Sequence, residues 1–127
     1  MENLRVSLVF IALCASGLFF LTTWIGPIRG KLGVLRGDGG DDRLFKAIRI
    51  HGNFIENAPL FALLLAAAEL LGLSSGWLWA AVGSFFAGRA YHFVRYDRMD
   101  RGVGMAMTTM PTVPLGIFVV YRVLAGG

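Results

Sequence analysis

Long apolar stretches alternate with short charged ones along this chain. No charged residue occurs between Arg5 and Arg29, between Glu69 and Arg89, or between Arg101 and Arg122. A fourth stretch, Ala58 to Leu73, is interrupted only by Glu69. Crossing the hydrocarbon core takes roughly 20 apolar residues in a helix, and a helix satisfies its own backbone hydrogen bonds where no water can. The pattern therefore predicts four membrane-crossing helices. Helix one runs from Asn3 to Ile28, with Gly26 and Pro27 marking its end. Helix two runs from Asp42, read as its N-cap, to Leu71. Helix three covers Trp77 to Tyr96 and helix four Val103 to Leu124. The glycine cluster Gly37-Asp38-Gly39-Gly40 reads as a turn before helix two, and Gly72 to Gly76 as the turn after it.

Composition agrees with this pattern. Hydrophobic residues make up 56% of the 127 residues and charged residues 16%, against about 25% charged in soluble domains. One all-α domain over residues 1–127 is the expectation, an integral membrane four-helix bundle. The first apolar run is too long for a signal-peptide core and no good small-x-small cleavage site closes it, so it reads as a retained helix. Cys14, the single cysteine, lies within that run, with no metal-ligand spacing around it.

The formal charge of +4 does not indicate nucleic acid as a partner, because the basic residues flank apolar spans and form no separate patch. Of the 12 Lys and Arg residues, only Arg5 and Arg122 lie away from two clusters. One cluster comprises Arg29, Lys31, Arg36, Arg43, Lys46 and Arg49, and the other Arg89, Arg95, Arg98 and Arg101. Short Lys- and Arg-rich loops stay in the cytoplasm. Both termini are thus expected outside, with the first and third loops inside. Trp77 and Trp79 suit an outer aromatic belt.

The chemistry lies in the polar half of helix two. Lys46, Arg49, Asn53 and Glu56 share one helical face, while His51 points the other way. Glu56 must lie at or near lipid depth, where an unpaired carboxylate costs on the order of 2.5–3.5 kcal/mol at the bilayer centre. Such residues pair with a neighbour or line a cavity. Two readings follow: a packing contact to a neighbouring helix, or a polar pocket for a charged small molecule. On helix three, Arg89, His92 and Tyr96 form a second one-faced set at the same end of the bundle, able to share that pocket.

Arg49-x-His51-x-Asn53-x-x-Glu56, followed by Pro59 and a leucine-rich half-helix, resembles the second-helix motif of the MAPEG family, the membrane-associated proteins in eicosanoid and glutathione metabolism. The Gly37-Asp38-Gly39-Gly40 loop is similar to the bacterial branch, which implies a bacterial inner membrane. Gly88-Arg89-x-x-His92-x-x-x-Tyr96 resembles the third helix of the prostaglandin E synthase members. The resemblance implies a homotrimer of four-helix bundles that binds glutathione as co-substrate in a cleft between subunits near the cytoplasmic face. A lipophilic small molecule or lipid would be the second substrate. Arg49, Asn53 and Glu56 would hold the tripeptide, Glu56 accepting from its ammonium. Arg89, His92 and Tyr96 would line the other wall, and Arg29 would grip a carboxylate.

The chain departs from that pattern at two places. Where the eicosanoid enzymes carry a thiol-activating arginine early in helix four, it has Val103 and Met105; Arg101 is the nearest candidate, with Arg98 behind it. Asn57 stands where the leukotriene-forming branch has tyrosine. The resemblance then implies either a glutathione transferase or peroxidase using Arg101 or Tyr96 at the thiol, or a non-catalytic lipid- or glutathione-binding scaffold of the same fold. A small multidrug exporter shares only size, since that family uses a carboxylate inside helix one.

Overall fold

The computed structural model describes residues 4–126. It is all-helical among those residues: α1 (Arg5–Leu32), α2 (Asp42–Leu70), α3 (Ser75–Val94), α4 (Arg101–Thr109) and α5 (Thr112–Leu124). The last two are halves of the expected fourth helix, so the chain is a four-helix membrane bundle. Among the described residues, three helical stretches are long and apolar enough to cross a membrane: α1, α2 and the combined Arg101–Leu124. The second half of α3 carries Arg89, Tyr91 and His92 among its apolar residues.

Several boundaries differ from expectation. The predicted start of helix one, Asn3, lies outside the described residues. Its end is Leu32 rather than Ile28, with Pro27 inside the helix. A membrane helix tolerates proline, and the stop is instead Gly33, whose φ of 65° takes the left-handed conformation that ends helices. The N-cap of α2 is Asp41, not Asp42; its carboxylate accepts from the backbone N–H groups of Arg43 and Leu44. Helix α3 begins at Ser75 and ends at Val94, leaving Tyr96 in the following turn. Pro111 breaks the fourth helix because it has no N–H for the carbonyl of Met107. Ser84 of α3 supplies the missing donor, its Oγ lying 2.7 Å from Met107 O.

A stripe along the whole of α2 is buried: Leu44, Ala47, Ile50, Phe54, Ala58, Phe61, Leu65 and Ala68. Their spacing of three and four is that of one helix face. At its centre Phe61 meets Phe10 of α1 and Phe85 of α3, with ring centroids 4.9 Å and 4.8 Å away. The outward faces carry exposed Leu, Ile, Phe and Val throughout, as a surface solvated by lipid requires.

Two features fix the helices to one another. The first is a glycine seam between α3 and α4. A Cβ on Gly88 would lie 2.6 Å from the carbonyl oxygen of Gly104, and one on Gly104 2.6 Å from the backbone nitrogen of His92. Small residues at such crossings let membrane helices approach to backbone contact. The second is Glu69 near the end of α2. Its carboxylate accepts from Val6 N and Ser7 N, both at 2.8 Å, and from Ser7 Oγ at 2.6 Å. It thus caps the first turn of α1, whose amides have no partner within the helix. The capping group is a charge opposite to the positive end of the helix dipole.

Two outcomes follow. Gly104→Ala should lower stability by about 1–3 kcal/mol, the cost of overpacking a tight contact, read as a reduced thermal midpoint in detergent. Glu69→Ala should cost a similar amount, since it removes charge-assisted bonds, while Glu69→Gln keeps one acceptor and recovers part of the loss.

Candidate functional site

The polar residues of α2 and α3 meet at the end of the bundle that carries the two basic clusters. Three side chains of α2 form a ladder. Arg49 Nη2 donates to Asn53 Oδ1 at 3.4 Å, and Arg49 Nη1 lies 4.0 Å from Glu56 Oε1. Gly52 sits beneath the pair and leaves room for both side chains to pass over it. Asn57, the position of the family departure, turns its amide onto the carbonyl of Asn53 at 2.7 Å and braces that turn of helix.

From Asn53 a hydrogen-bonded chain crosses to α3 and α4. Asn53 Nδ2 lies 3.2 Å from His92 Nε2, and His92 Nδ1 lies 3.5 Å from the backbone carbonyl of Arg101. Chemistry sets its direction. Arg49 can only donate, so the atom facing it is the Asn53 oxygen, which turns the Asn53 amide to His92. Nε2 must then accept, which leaves the proton on Nδ1, opposite a carbonyl that can only accept. His92 is buried, at 4% exposure, and both its ring nitrogens are engaged inside the subunit. It is therefore a strut between α2 and the start of α4.

The other expected site residues are placed as follows. Arg89 turns to α4: its Nε donates to Thr108 Oγ1 at 2.9 Å and its Nη2 meets the Met105 sulfur at 2.9 Å. The Thr108 hydroxyl in turn donates to the carbonyl of Gly104 at 2.8 Å. Arg29 donates to the carbonyl of Gly37 at 2.8 Å and bridges the start of its own loop. Tyr96 and Arg101 are adjacent. The Arg101 guanidinium lies 5.1 Å from the Tyr96 ring centroid and donates to the Tyr96 carbonyl at 3.2 Å. The Tyr96 ring is buried, edge-on to His92 at 5.6 Å, with Lys46 Nζ 5.5 Å from its centroid. Lys46 also pairs with Asp97 at 2.6 Å, which ties the α3–α4 turn to α2.

Two positions were not singled out from sequence. Asp97 reads as an ordinary loop charge, and Thr108 as one small residue among many; only its spacing of four from Gly104 hints that it shares the seam. His51, expected to point away from the polar face, does so and bonds to Thr22 of α1 at 3.1 Å.

Depth gives the ladder its meaning. Counting about 1.5 Å per residue, Glu56 lies about 20 Å along α2 from Glu69 and Arg49 about 30 Å. The hydrocarbon core is itself about 30 Å thick. With Glu69, at the head of α1, marking one edge of the core, Glu56 falls inside it and Arg49 at its far edge, yet their side chains are 59% and 45% exposed in the single subunit. Charges at such depth face a neighbouring protein surface or a water-filled cleft rather than lipid tails.

Comparison with known proteins agrees with this architecture. The model of the MAPEG family matches residues 7–121. The chain is 34% identical over 89 residues to inner membrane protein YecN of Escherichia coli strain K12, a match covering 69% of this chain and 67% of that one. The same named protein from Escherichia coli O6:H1 strain CFT073 matches equally well.

His92→Phe should destabilise the bundle by about 1–3 kcal/mol, the cost of leaving a buried polar partner unmade. Nitrogen-15 NMR of the labelled wild type should show the proton on Nδ1; a proton on Nε2 would refute the direction assigned to the chain.

Proposed function

Because the chain belongs to the MAPEG family, we propose that this integral membrane protein is a glutathione transferase or peroxidase acting on lipophilic electrophiles or lipid hydroperoxides. The observation that carries this reading is the half-exposed Arg49–Glu56 pair at hydrocarbon depth. Glutathione has two carboxylates and one ammonium. Arginine gives a planar, two-pronged grip on a carboxylate, and a carboxylate such as Glu56 answers an ammonium. At 4.0 Å the pair is looser than a bonded contact, so a guest that offers each group a closer partner displaces little.

In this reading four crossings place the basic loops in the cytoplasm and both termini outside, and the open ladder faces a neighbouring copy in a homotrimer. Asn53 is held from both sides by Arg49 and His92 and presents its position to the peptide with little freedom to lose. The thiol is activated as the thiolate, the reactive form. Arg101, stacked on Tyr96 at the head of α4, is the cation closest to where the family places that role, and Tyr96 is the accompanying hydroxyl. Arg89 acts indirectly, holding α4 through Thr108. Arg29, engaged with its loop, serves by shaping the entrance of the cleft.

One observation favours a second reading, a lipid- or glutathione-binding scaffold without turnover. The Arg101 guanidinium is already engaged by the ring and carbonyl of Tyr96, and α4 carries no further arginine.

The experiment is a thiolate difference spectrum on addition of glutathione to the protein in detergent, followed by conjugation of an aromatic halide. Binding with a thiolate band and turnover is the expected result; binding without either selects the scaffold. Arg49→Ala should weaken glutathione binding by about tenfold or more, the worth of a charge-assisted hydrogen bond, at unchanged oligomer mass. Loss of the oligomer in that variant would assign the ladder to subunit packing instead.

A further inference from the structure

A separate groove of about 500 Å3 opens between α1, α2 and α3 at the basic end of the bundle. None of Arg49, Asn53 or Glu56 lines it. Its floor is apolar and includes Trp24, Ile28 and Phe93, the two rings lying 5.6 Å apart. Its rim is cationic, formed by Lys31, Arg43 and Lys46. Lys46 is held by Asp97. Arg43 leans on Asp41 only at 3.9 Å and is 81% exposed, and Lys31 is exposed. Two of the three cations thus keep their charge available at the mouth.

The level of the groove decides what fits it. Counting about 1.5 Å per residue, Trp24 lies about 27 Å along α1 from Val6, at the far face of a hydrocarbon core about 30 Å thick. Lys31 lies about 10 Å further, in the headgroup zone. Aromatic rings at the boundary with cations just beyond it match a molecule whose charge sits in the headgroup layer and whose tail sits in the core. A small soluble anion would satisfy Lys31 and Arg43 but leave the aromatic floor wet.

We propose that this groove binds one anionic phospholipid, its phosphate between Lys31 and Arg43 and the root of an acyl chain against Trp24 and Phe93. The proposal does not rest on the glutathione reading, because the two sites share no ligand residue.

The test is selective lipid retention. The full chain is delipidated in neutral detergent and titrated with phosphatidylglycerol or phosphatidylcholine under native mass spectrometry. Phosphatidylglycerol should be retained the more tightly. Lys31→Gln and Arg43→Gln should each weaken it about fivefold, the worth of one basic residue near an anionic surface. Arg36→Gln makes the same charge change in the loop outside the groove and should leave retention unaltered. Equal retention of the two lipids, or an equal loss with Arg36→Gln, overturns the proposal. Displacement of the lipid by inorganic phosphate or by glutathione also overturns it, by assigning the groove to a soluble anion. A changed oligomer mass in the Lys31 or Arg43 variant does the same, by assigning it to a second copy.

Discussion

Hydrocarbon offers no hydrogen bonds, so every polar group that enters it must bring a partner from the protein. That constraint accounts for much of the bundle's internal chemistry. Met107, left without a donor by Pro111, takes one from Ser84. Arg89 enters the membrane with Thr108 and Met105 already in reach. The hydroxyls of Ser16, Thr23 and Thr109 turn back onto carbonyls of their own helices. Against this background of local satisfaction, the Arg49–Glu56 pair stands out, loose at 4.0 Å and half-exposed, and a departure of this kind marks where function parts from packing.

The two ends of the bundle are held by different means. At one, a single carboxylate, Glu69, closes the first turn of α1. At the other, a directed chain from Arg49 through Asn53 and His92 reaches the head of α4. The Gly88–Gly104 seam lies alongside that chain and brings α4 close enough for His92 to reach the carbonyl of Arg101. Close backbone packing and a hydrogen-bonded strut therefore position the same segment, the one that carries Arg101.

Much of this was legible in the sequence, for reasons that can be stated residue by residue. Uncharged runs between Arg5 and Arg29 or Arg101 and Arg122 have few alternatives to a membrane helix. The shared face of Arg49, Asn53 and Glu56 follows from helical geometry alone, and so does the opposite placement of His51. Pairings between helices were not legible. Nothing local to Glu69 says that its partner is the first turn of α1, and nothing local to Arg89 says that it turns to Thr108 rather than toward Asn53. Pro27 reads as a terminator by soluble-protein rules, yet the helix continues until Gly33 supplies the left-handed residue that ends it. Asp41 and Asp42 are equally good caps on paper; the turn from Asp38, whose carbonyl accepts from Asp41 N, decides between them. Tyr96 fell out of α3 because the helix stops two residues short of it, at Val94.

The Glu69 contact also bears on how such a chain is made. The amides at the head of α1 receive their acceptor from a residue 62 to 63 positions downstream. As the nascent polypeptide leaves the ribosome, those amides therefore rely on interfacial water until the second span has emerged and returned. Exchange of that water for the Glu69 carboxylate is thus a late event, one that only a closed initial hairpin can complete.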